Sequence, residues 1–506
     1  MAGTAGHCAF LDYHRHSGFD RAGILENQVM KESYEVIGSM NPCPQAHYTR
    51  EAPSIMIDHK YTKPDTHSRV LIIGLGKTGL SCARFLARRG VSFRVMDDRE
   101  QPPELPALRE QFPATELFLG EFNTDVTASC DLIVISPGVS LFDPAIAKII
   151  ASRIPVAGDI ELFAQYADAP VVAITGSNGK STVTALVAEM ARMAGRDVRM
   201  GGNFGTPALD LLENGPPDLY VLELSSFQLE STWSLNCTAA VVLNLSPDHL
   251  DRYRSMDEYL AAKLRIYRGD GVIVINGDEP LISESARESR KCLRFSTGLP
   301  RQGEYGLRSQ SDELWFAKGD ECLMPVSSLR INGFHNVSNA LAALALGDTV
   351  GLPAPAMLEA LKTFKGLPHR MEWITQQEGV TWYNDSKGTN VGATVAALQG
   401  LNGKAVLIAG GLGKGAEFSI LRAVVAEKGR AVVLIGRDAP LIEKALGNVV
   451  PVIHAVDMYD AVHQARLCAR SGDSVLLSPA CASFDMFRNY EHRGQVFVAA
   501  VRSELS

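Results

Sequence analysis

A chain of 506 residues predicts about three domains. With 46% hydrophobic and 21% charged residues it has the make-up of a soluble globular protein, and a formal charge of -8 without a basic block excludes nucleic acid as a partner. Nine cysteines without a CxxC pair exclude a zinc ribbon or a disulfide framework and read as thiols of a reducing compartment. No apolar run is long enough to span a bilayer and no signal-peptide core opens the chain, so the expected setting is the cytoplasm, with no membrane partner.

Residues 1–66 carry no helical or alternating period. Histidines at 7, 14, 16, 47, 59 and 67 show no ligand spacing, and the segment reads as a flexible, dispensable extension. Met30, Met40 and Met56 are alternative starts. The first organised domain is expected over 67–162. Val70–Ile73 reads as a buried strand, followed by Gly74-Leu75-Gly76-Lys77-Thr78-Gly79 and a helix carrying Leu80, Ala83 and Leu86. A second strand, Phe93–Met96, ends in Asp97-Asp98-Arg99. Together these form the dinucleotide fingerprint, with an acid about twenty residues beyond a GxGxxG turn. The same geometry serves NAD or a UDP-sugar, and the fingerprint does not choose between them. A further strand, Leu132–Ile135, ends in Ser136-Pro137-Gly138, small enough for a ligand to approach closely.

The central domain is expected over 163–366. Val171–Ile174 reads as a strand leading into Thr175-Gly176-Ser177-Asn178-Gly179-Lys180-Ser181-Thr182 and then a helix. This is a phosphate-binding loop: helix N–H groups face the phosphates, Lys180 adds a point charge, and the Ser181 hydroxyl suits Mg²⁺. The common pattern would put glycine at 174, where this chain has Ile174. Leu219–Leu222 is a strand ending at Glu223, a second candidate for Mg²⁺ or a strand-end acid. Another strand, Ala239–Leu243, precedes Asp248-His249-Leu250-Asp251-Arg252, which puts His249 where α/β ligand sites form, as a ligand or as a structural loop residue. Lys263, between alanines and a leucine, reads as a surface lysine. Asn336 and Asn339 share a helix face able to meet a base edge.

The C-terminal domain is expected over 367–506, after a hinge at Gly366–Arg370. Strands at Ala405–Ala409, Val432–Ile435 and Ser474–Leu477 alternate with helices, and Lys387 and Lys414 sit beside glycines, as turn residues or as ligand contacts.

Together the stretches 175–182, 222–230, 248–253, 384–387 and 477–483 resemble the Mur ligase family, ATP-dependent amide-forming enzymes of peptidoglycan synthesis. The resemblance covers about 68–506 and accounts for Ile174, since the family's loop lacks the upstream glycine. Ser225-Ser226-Phe227-Gln228 points to the D-glutamate-adding member, and no Asp-Asn-Pro-Arg motif of the diaminopimelate- or lysine-adding member is present. Leu412 stands where that family often has an aspartate, while Lys414 remains. The implied fold is α/β, with a Rossmann-like UDP-binding domain, a P-loop ATPase-like centre and a Rossmann-like C-terminal domain, each around an open, mostly parallel sheet.

The implied reaction joins D-glutamate to UDP-N-acetylmuramoyl-L-alanine through an acyl phosphate, with ATP and two Mg²⁺ ions, in a monomer. By the same resemblance, Gly176, Ser177, Asn178, Gly179, Lys180, Ser181, Thr182, Asn336, Asn339, Arg370, Asp385 and Lys387 bind ATP. Ser181, Glu223, His249 and Lys263, the last as a carbamate, bind metal, with Lys180, His249 and Lys263 catalytic. Lys77, Thr78, Gly79, Asp97, Asp98, Arg99, Ser136 and Gly138 hold UDP, Asn203 and Gln228 the sugar-peptide part, and Thr389, Lys414, Ser483 and Tyr490 D-glutamate. The rival readings are an NAD-dependent dehydrogenase, which leaves Lys180, Glu223 and His249 unused, a folylpolyglutamate synthase-like ligase, which needs no UDP-binding domain, and a non-enzymatic ATP-binding regulatory module.

Overall fold

The computed structural model describes residues 63–152, 154–249, 252–285, 290–331 and 333–505. The expectations for the N-terminal extension before residue 63, its histidines up to 59 and its methionines, together with Leu250 and Asp251 of the His249 motif, lie outside the described residues.

Three sheets succeed one another along the chain. The first contains β1 (Arg69–Ile73), β2 (Ser92–Asp97), β3 (Leu117–Leu119), β4 (Leu132–Ile135) and β5 (Val156–Gly158), all parallel in the order β3-β2-β1-β4-β5. Its central strands β1 and β4 are buried runs of valine, leucine and isoleucine, as a sheet covered on both faces requires. The order reverses beside β1, so ligand-binding loops gather beyond the C-terminal ends of β1, β2 and β4.

The second sheet contains β6 (Val171–Thr175), β7 (Val198–Gly202), β8 (Leu219–Glu223), β9 (Ala239–Val242), β10 (Val272–Asn276), β11 (Cys292–Phe295), β12 (Tyr305–Gln310), β13 (Glu313–Lys318) and β14 (Glu321–Pro325). Its order is β14-β13-β12-β11-β10-β9-β6-β8-β7, parallel except for the antiparallel ribbon β12–β14. Strand β6, third from the β7 edge, carries the phosphate loop, flanked by β8, ending at Glu223, and β9, leading to His249. The third sheet contains β15 (Glu372–Gln377), β16 (Val380–Asn384), β17 (Ala405–Gly410), β18 (Gly429–Ile435), β19 (Val452–His454) and β20 (Ser474–Leu477), in the order β15-β16-β20-β17-β18-β19, with β15 antiparallel at the edge.

The apolar core does not respect the three sheets equally. One continuous cluster runs from Val70, Phe85 and Val134 of the first sheet's layer through Phe163 and Leu209 to Tyr220, Leu222 and Ile266 beneath the second sheet. The ring of Phe163 meets that of Tyr220 edge to face, with centroids 5.2 Å apart. The third sheet has its own two layers, around Leu407, Leu434 and Leu476 on one face and Ile408, Val433 and Phe497 on the other.

Candidate active site

Gly179 is the N-cap of the helix Lys180–Met193 and takes φ +80°, a conformation cheap for glycine. A Cβ there would collide with the side-chain oxygen of Asn339. Asn339 in turn donates to Asn336 Oδ1 at 3.1 Å, so the two asparagines expected at a base lie against the turning point of the phosphate loop. The loop is braced from the strand beside it. Asn178 N–H donates to Asn244 Oδ1 at 2.8 Å, Asn244 Nδ2 returns a bond to the Asn178 carbonyl at 3.1 Å, and Ser177 N–H donates to the Asn244 carbonyl at 3.0 Å. Ser177 Oγ donates to the Ser246 carbonyl and accepts from the Ser246 N–H, both at 3.0 Å.

Charge is concentrated here. Lys180 Nζ donates to the carbonyls of Gly176 and Ser177, each at 2.9 Å. Lys263 Nζ reaches the same Gly176 carbonyl at 2.9 Å and lies 4.3 Å from the centroid of Tyr259. Burial, and then the charge of Lys180, push the Lys263 amine well below the usual lysine range, which favours a neutral amine. The structure thus overturns the surface reading of Lys263: its residue is 1% exposed. Burial also lowers the pKa of Lys180, with the Glu223 carboxylate pulling it back up.

Glu223 closes β8 and accepts from Ser181 Oγ and, at 2.7 Å, from Asn203 Nδ2. Burial opposes its ionisation, but Lys180, Arg370 and these hydrogen bonds outweigh it and hold the carboxyl below its ordinary value. Thr182 is buried in the first turn of the same helix. His249 stands at φ +56°, its N–H on Asp248 Oδ1 at 2.9 Å and its ring 4.6 Å from Phe227 and 6.4 Å from Tyr259. His249 and Lys263 therefore share the surroundings of one tyrosine ring.

Three groups from the C-terminal domain enter the same space. Arg370 Nη2 donates to Ser181 Oγ at 2.7 Å, and Asn390 Nδ2 donates to Asn178 Oδ1 at 3.1 Å and to Asp248 Oδ2 at 3.2 Å. Lys387 Nζ lies 3.7 Å from the centroid of the Tyr490 ring, and burial with the charge of Arg370 brings its pKa down to about 8. Asp385 accepts from Ser478 Oγ at 2.7 Å and the Met371 N–H at 3.2 Å; burial raises it to about 6. Thr389 N–H donates to the Lys387 carbonyl at 2.8 Å. Lys414 follows β17 at φ +51°, and Ser483 is buried beyond β20. Reciprocal 2.9 Å bonds between Leu412 and Ala482 draw those two loops together.

The donor set fits a polyphosphate: a helix N-terminus, a half-buried cation and a hydroxyl at one turn. Among the described residues no cluster of three or more His, Cys, Asp or Glu could hold a metal by itself. Ser181 and Glu223 nonetheless offer two hard oxygen donors, which fits Mg²⁺, an ion that completes its shell with phosphate oxygens and water.

On the first sheet, Ser136 Oγ donates to the Gly74 carbonyl at 2.7 Å, and Gly79 packs so closely on that carbonyl that a Cβ would not fit. Asp97 accepts from the Leu75 N–H at 2.7 Å and is gripped by Arg99 through 2.8 and 2.7 Å bonds. Lys77, Asp98 and Gly138 are exposed around the same edge, with Thr78 half-buried. Asn203 and Gln228 are engaged within the protein. Asn203 holds Glu223, and Gln228, buried, donates from Nε2 to Asp159 at 2.9 Å and accepts the Ser225 N–H at 3.1 Å.

The Mur ligase MurD-like, N-terminal domain matches residues 68–158, the Mur ligase middle domain 174–347, and the Mur ligase, glutamate ligase domain 369–481. The chain belongs to the Mur ligase family. It is 56% identical to a UDP-N-acetylmuramoylalanine--D-glutamate ligase of Nitrosococcus oceani over 446 residues, 88% of this chain and 98% of that one. It is 52% identical to a ligase of the same name from Pseudomonas aeruginosa over 439 residues, 86% of this chain and 98% of that one. A solved UDP-N-acetylmuramate-alanine ligase from Thermotoga maritima shares the fold at 21% identity, with TM-score 0.58, over 86% of this chain and all of its own.

As a Mur ligase the chain is an ATP-dependent enzyme that joins an acid to an amino acid, not a dehydrogenase. Several residues that brace the phosphate loop escaped the sequence reading. Asn244, Ser246 and Tyr259 carry no motif, because each acts by bracing a loop from a neighbouring strand or helix. Asn390 lies three residues beyond the 384–387 stretch, and its bond to Asn178 spans 212 residues of sequence.

Proposed function

We propose that this ligase adds D-glutamate to UDP-N-acetylmuramoyl-L-alanine in peptidoglycan precursor synthesis. The observation that carries the reading is the 56% identity to a D-glutamate ligase running through all three domains, the UDP-side first domain included. A folylpolyglutamate synthase-like activity would leave that first domain without a purpose.

The first step brings two anions together. The substrate carboxylate attacks the γ-phosphate of ATP, and ADP departs with the electrons of the broken P–O bond, leaving an acyl phosphate. The D-glutamate amine then attacks the acyl carbon, inorganic phosphate leaves, and the nitrogen sheds a proton. Lys180 and the N–H groups of 176–182 neutralise and align the transferring group, with Arg370 and Lys387 closing on it from the other side. Asn336, Asn339 and Asp385 hold the nucleoside. Mg²⁺ would supply further charge neutralisation, one ion held by Ser181 and Glu223 and a second by His249, with Lys263, as a carbamate, offering a further oxygen ligand. The neutral amine favoured at Lys263 is the form that takes up carbon dioxide, releasing a proton and turning a cation into an anionic oxygen donor.

UDP lies on Lys77, Thr78, Gly79, Asp97, Asp98, Arg99, Ser136 and Gly138, the sugar-peptide part towards Asn203 and Gln228, and D-glutamate against Thr389, Lys414, Ser483 and Tyr490. In this reading the ligase acts in the cytoplasm, as a monomer. Among the described residues no helix is long and apolar enough to cross a membrane.

Phosphate release measured across D- and L-amino acids tests the reading. Release requiring both D-glutamate and the UDP-muramoyl-alanine substrate is the expected result. Release indifferent to either would overturn it.

A further inference from the structure

The seam between the first and central domains contains a charged contact that the mechanism above does not use. Arg252 follows His249 by three residues, and its N–H donates to the His249 carbonyl at 2.9 Å. Its guanidinium reaches back into the first domain: Nη1 donates to the Pro137 carbonyl at 3.0 Å and Nη2 to the Val139 carbonyl at 3.3 Å. Nη2 also pairs with Glu230 Oε2 at 2.6 Å, where the two side chains are only 10% and 11% exposed. The planar group lies 4.0 Å from the centroid of Phe227, the ring that also touches His249. Tyr253 completes the cluster with a 2.5 Å bond from its hydroxyl to Glu230 Oε1.

The contacts form a chain. His249 and Arg252 share one loop. Arg252 grips the backbone of 137–139, and Val139 N–H bonds the Ser136 carbonyl at 3.0 Å. Ser136 Oγ in turn holds the Gly74 carbonyl of the dinucleotide turn. We propose that Arg252 is a positioning residue that fixes the spacing between the UDP-binding loops of the first domain and the loop carrying His249.

The reason for such a tie lies in the substrate, and the inference rests on the function proposed above. One molecule must place its UDP at the first sheet and its carboxylate beside the γ-phosphate, so the separation of these two loops sets how well the carboxylate is aligned. The arrangement calls for arginine. A lysine ammonium could satisfy Glu230 or a carbonyl, but has no flat fork to reach two carbonyls and a carboxylate while lying on a ring.

A buried pair complicates the obvious test, because removing one partner leaves the other charge stranded and destabilises the fold. Four proteins separate the effects: the parent, Arg252→Lys, Arg252→Met, and Arg252→Met combined with Glu230→Gln. The double variant carries no stranded charge and keeps an acceptor for Tyr253. Thermal midpoint, kcat, and KM for each of the three substrates are measured. In Arg252→Met we expect KM for the UDP-substrate to rise at least tenfold and kcat to fall, with KM for ATP and D-glutamate within threefold of the parent. Arg252→Lys is expected to fall between. The double variant is expected to regain most of the lost midpoint while keeping the UDP-substrate defect. Recovery of kinetics together with the midpoint, an equal rise in all three KM values, or parental kinetics in either single variant would overturn the proposal. A parent protein that does not ligate D-glutamate to the UDP-substrate would refute the proposed function instead, and is distinguished in the same assay.

Discussion

At the scale of single residues, the phosphate loop was almost wholly legible. Lys180, Ser181 and Glu223 could be picked out because their chemistry depends on position relative to a strand end, which apolar runs reveal. Lys263 could not be read from residues alone: its neighbours in sequence say surface, whereas Tyr259 and the Gly176 carbonyl, which enclose it, come from the next helical turn and from 87 residues away. Gly179 makes a sharp test of the geometry. In Gly179→Ala the new Cβ meets the Asn339 side chain in a left-handed backbone that costs about 1–2 kcal/mol for any other residue. The expected outcome is a loss of at least 100-fold in kcat/KM for ATP with the UDP-substrate still bound, measured by steady-state kinetics and by titration with UDP-substrate.

At the scale of elements, polar caps add to the apolar seam where the first and central domains meet. Ser225 and Gln228 form a capping box on the short helix Ser226–Glu230, and the free end of the Gln228 amide holds Asp159, the first residue of the helix Asp159–Tyr166. Asp159 is buried with Oδ1 unpartnered among the described residues, and burial raises its pKa to about 6. A folded-state pKa above the unfolded value of 3.8 means the folded protein holds this proton more tightly. The ionised carboxyl is therefore a destabilising charge whose cost grows from about pH 4 and is complete above about pH 6. Asp159→Asn, which keeps an acceptor for Gln228, should raise the thermal midpoint, and by more at pH 8 than at pH 5. The stabilisation at pH 8 is at most about 3 kcal/mol. An equal shift at both pH values would assign Asp159 another role.

The strands that lead into the candidate site, β1, β2, β4, β6, β8, β9, β17, β18 and β20, were legible as apolar runs, whereas the parallel strands β3, β5, β7, β10, β11, β16 and β19 went unread. The ribbon β12–β14 went unread as well, because strands such as Glu313–Lys318 do not alternate polar and apolar residues and the first loop, Ser311-Asp312, takes positive φ without a glycine to announce it. Gln228 shows the same limit in miniature: the sequence offers an amide next to a site, but not which neighbours claim it.

At the scale of the molecule, the C-terminal domain meets the rest through polar contacts, Arg370 on Ser181 and Asn390 on Asn178 and Asp248, all at the nucleotide site. The connecting segment bends through positive φ at Gly366, His369 and Met371, where the non-glycine residues are strained. Polar contacts gathered at the nucleotide site predict a domain that settles on its neighbours when nucleotide and UDP-substrate are present. Small-angle scattering should show a smaller radius of gyration with both ligands than with neither, and identical profiles would count against closure.

The apolar seam through Phe163, Leu209 and Tyr220 has a further consequence for how heat takes the enzyme apart. Two sheets that share one interior cannot lose it separately, whereas the third can. Differential scanning calorimetry should therefore resolve two endotherms, the larger from residues up to about 366 and the smaller from those beyond, with adenine nucleotide moving both upward and UDP chiefly the larger.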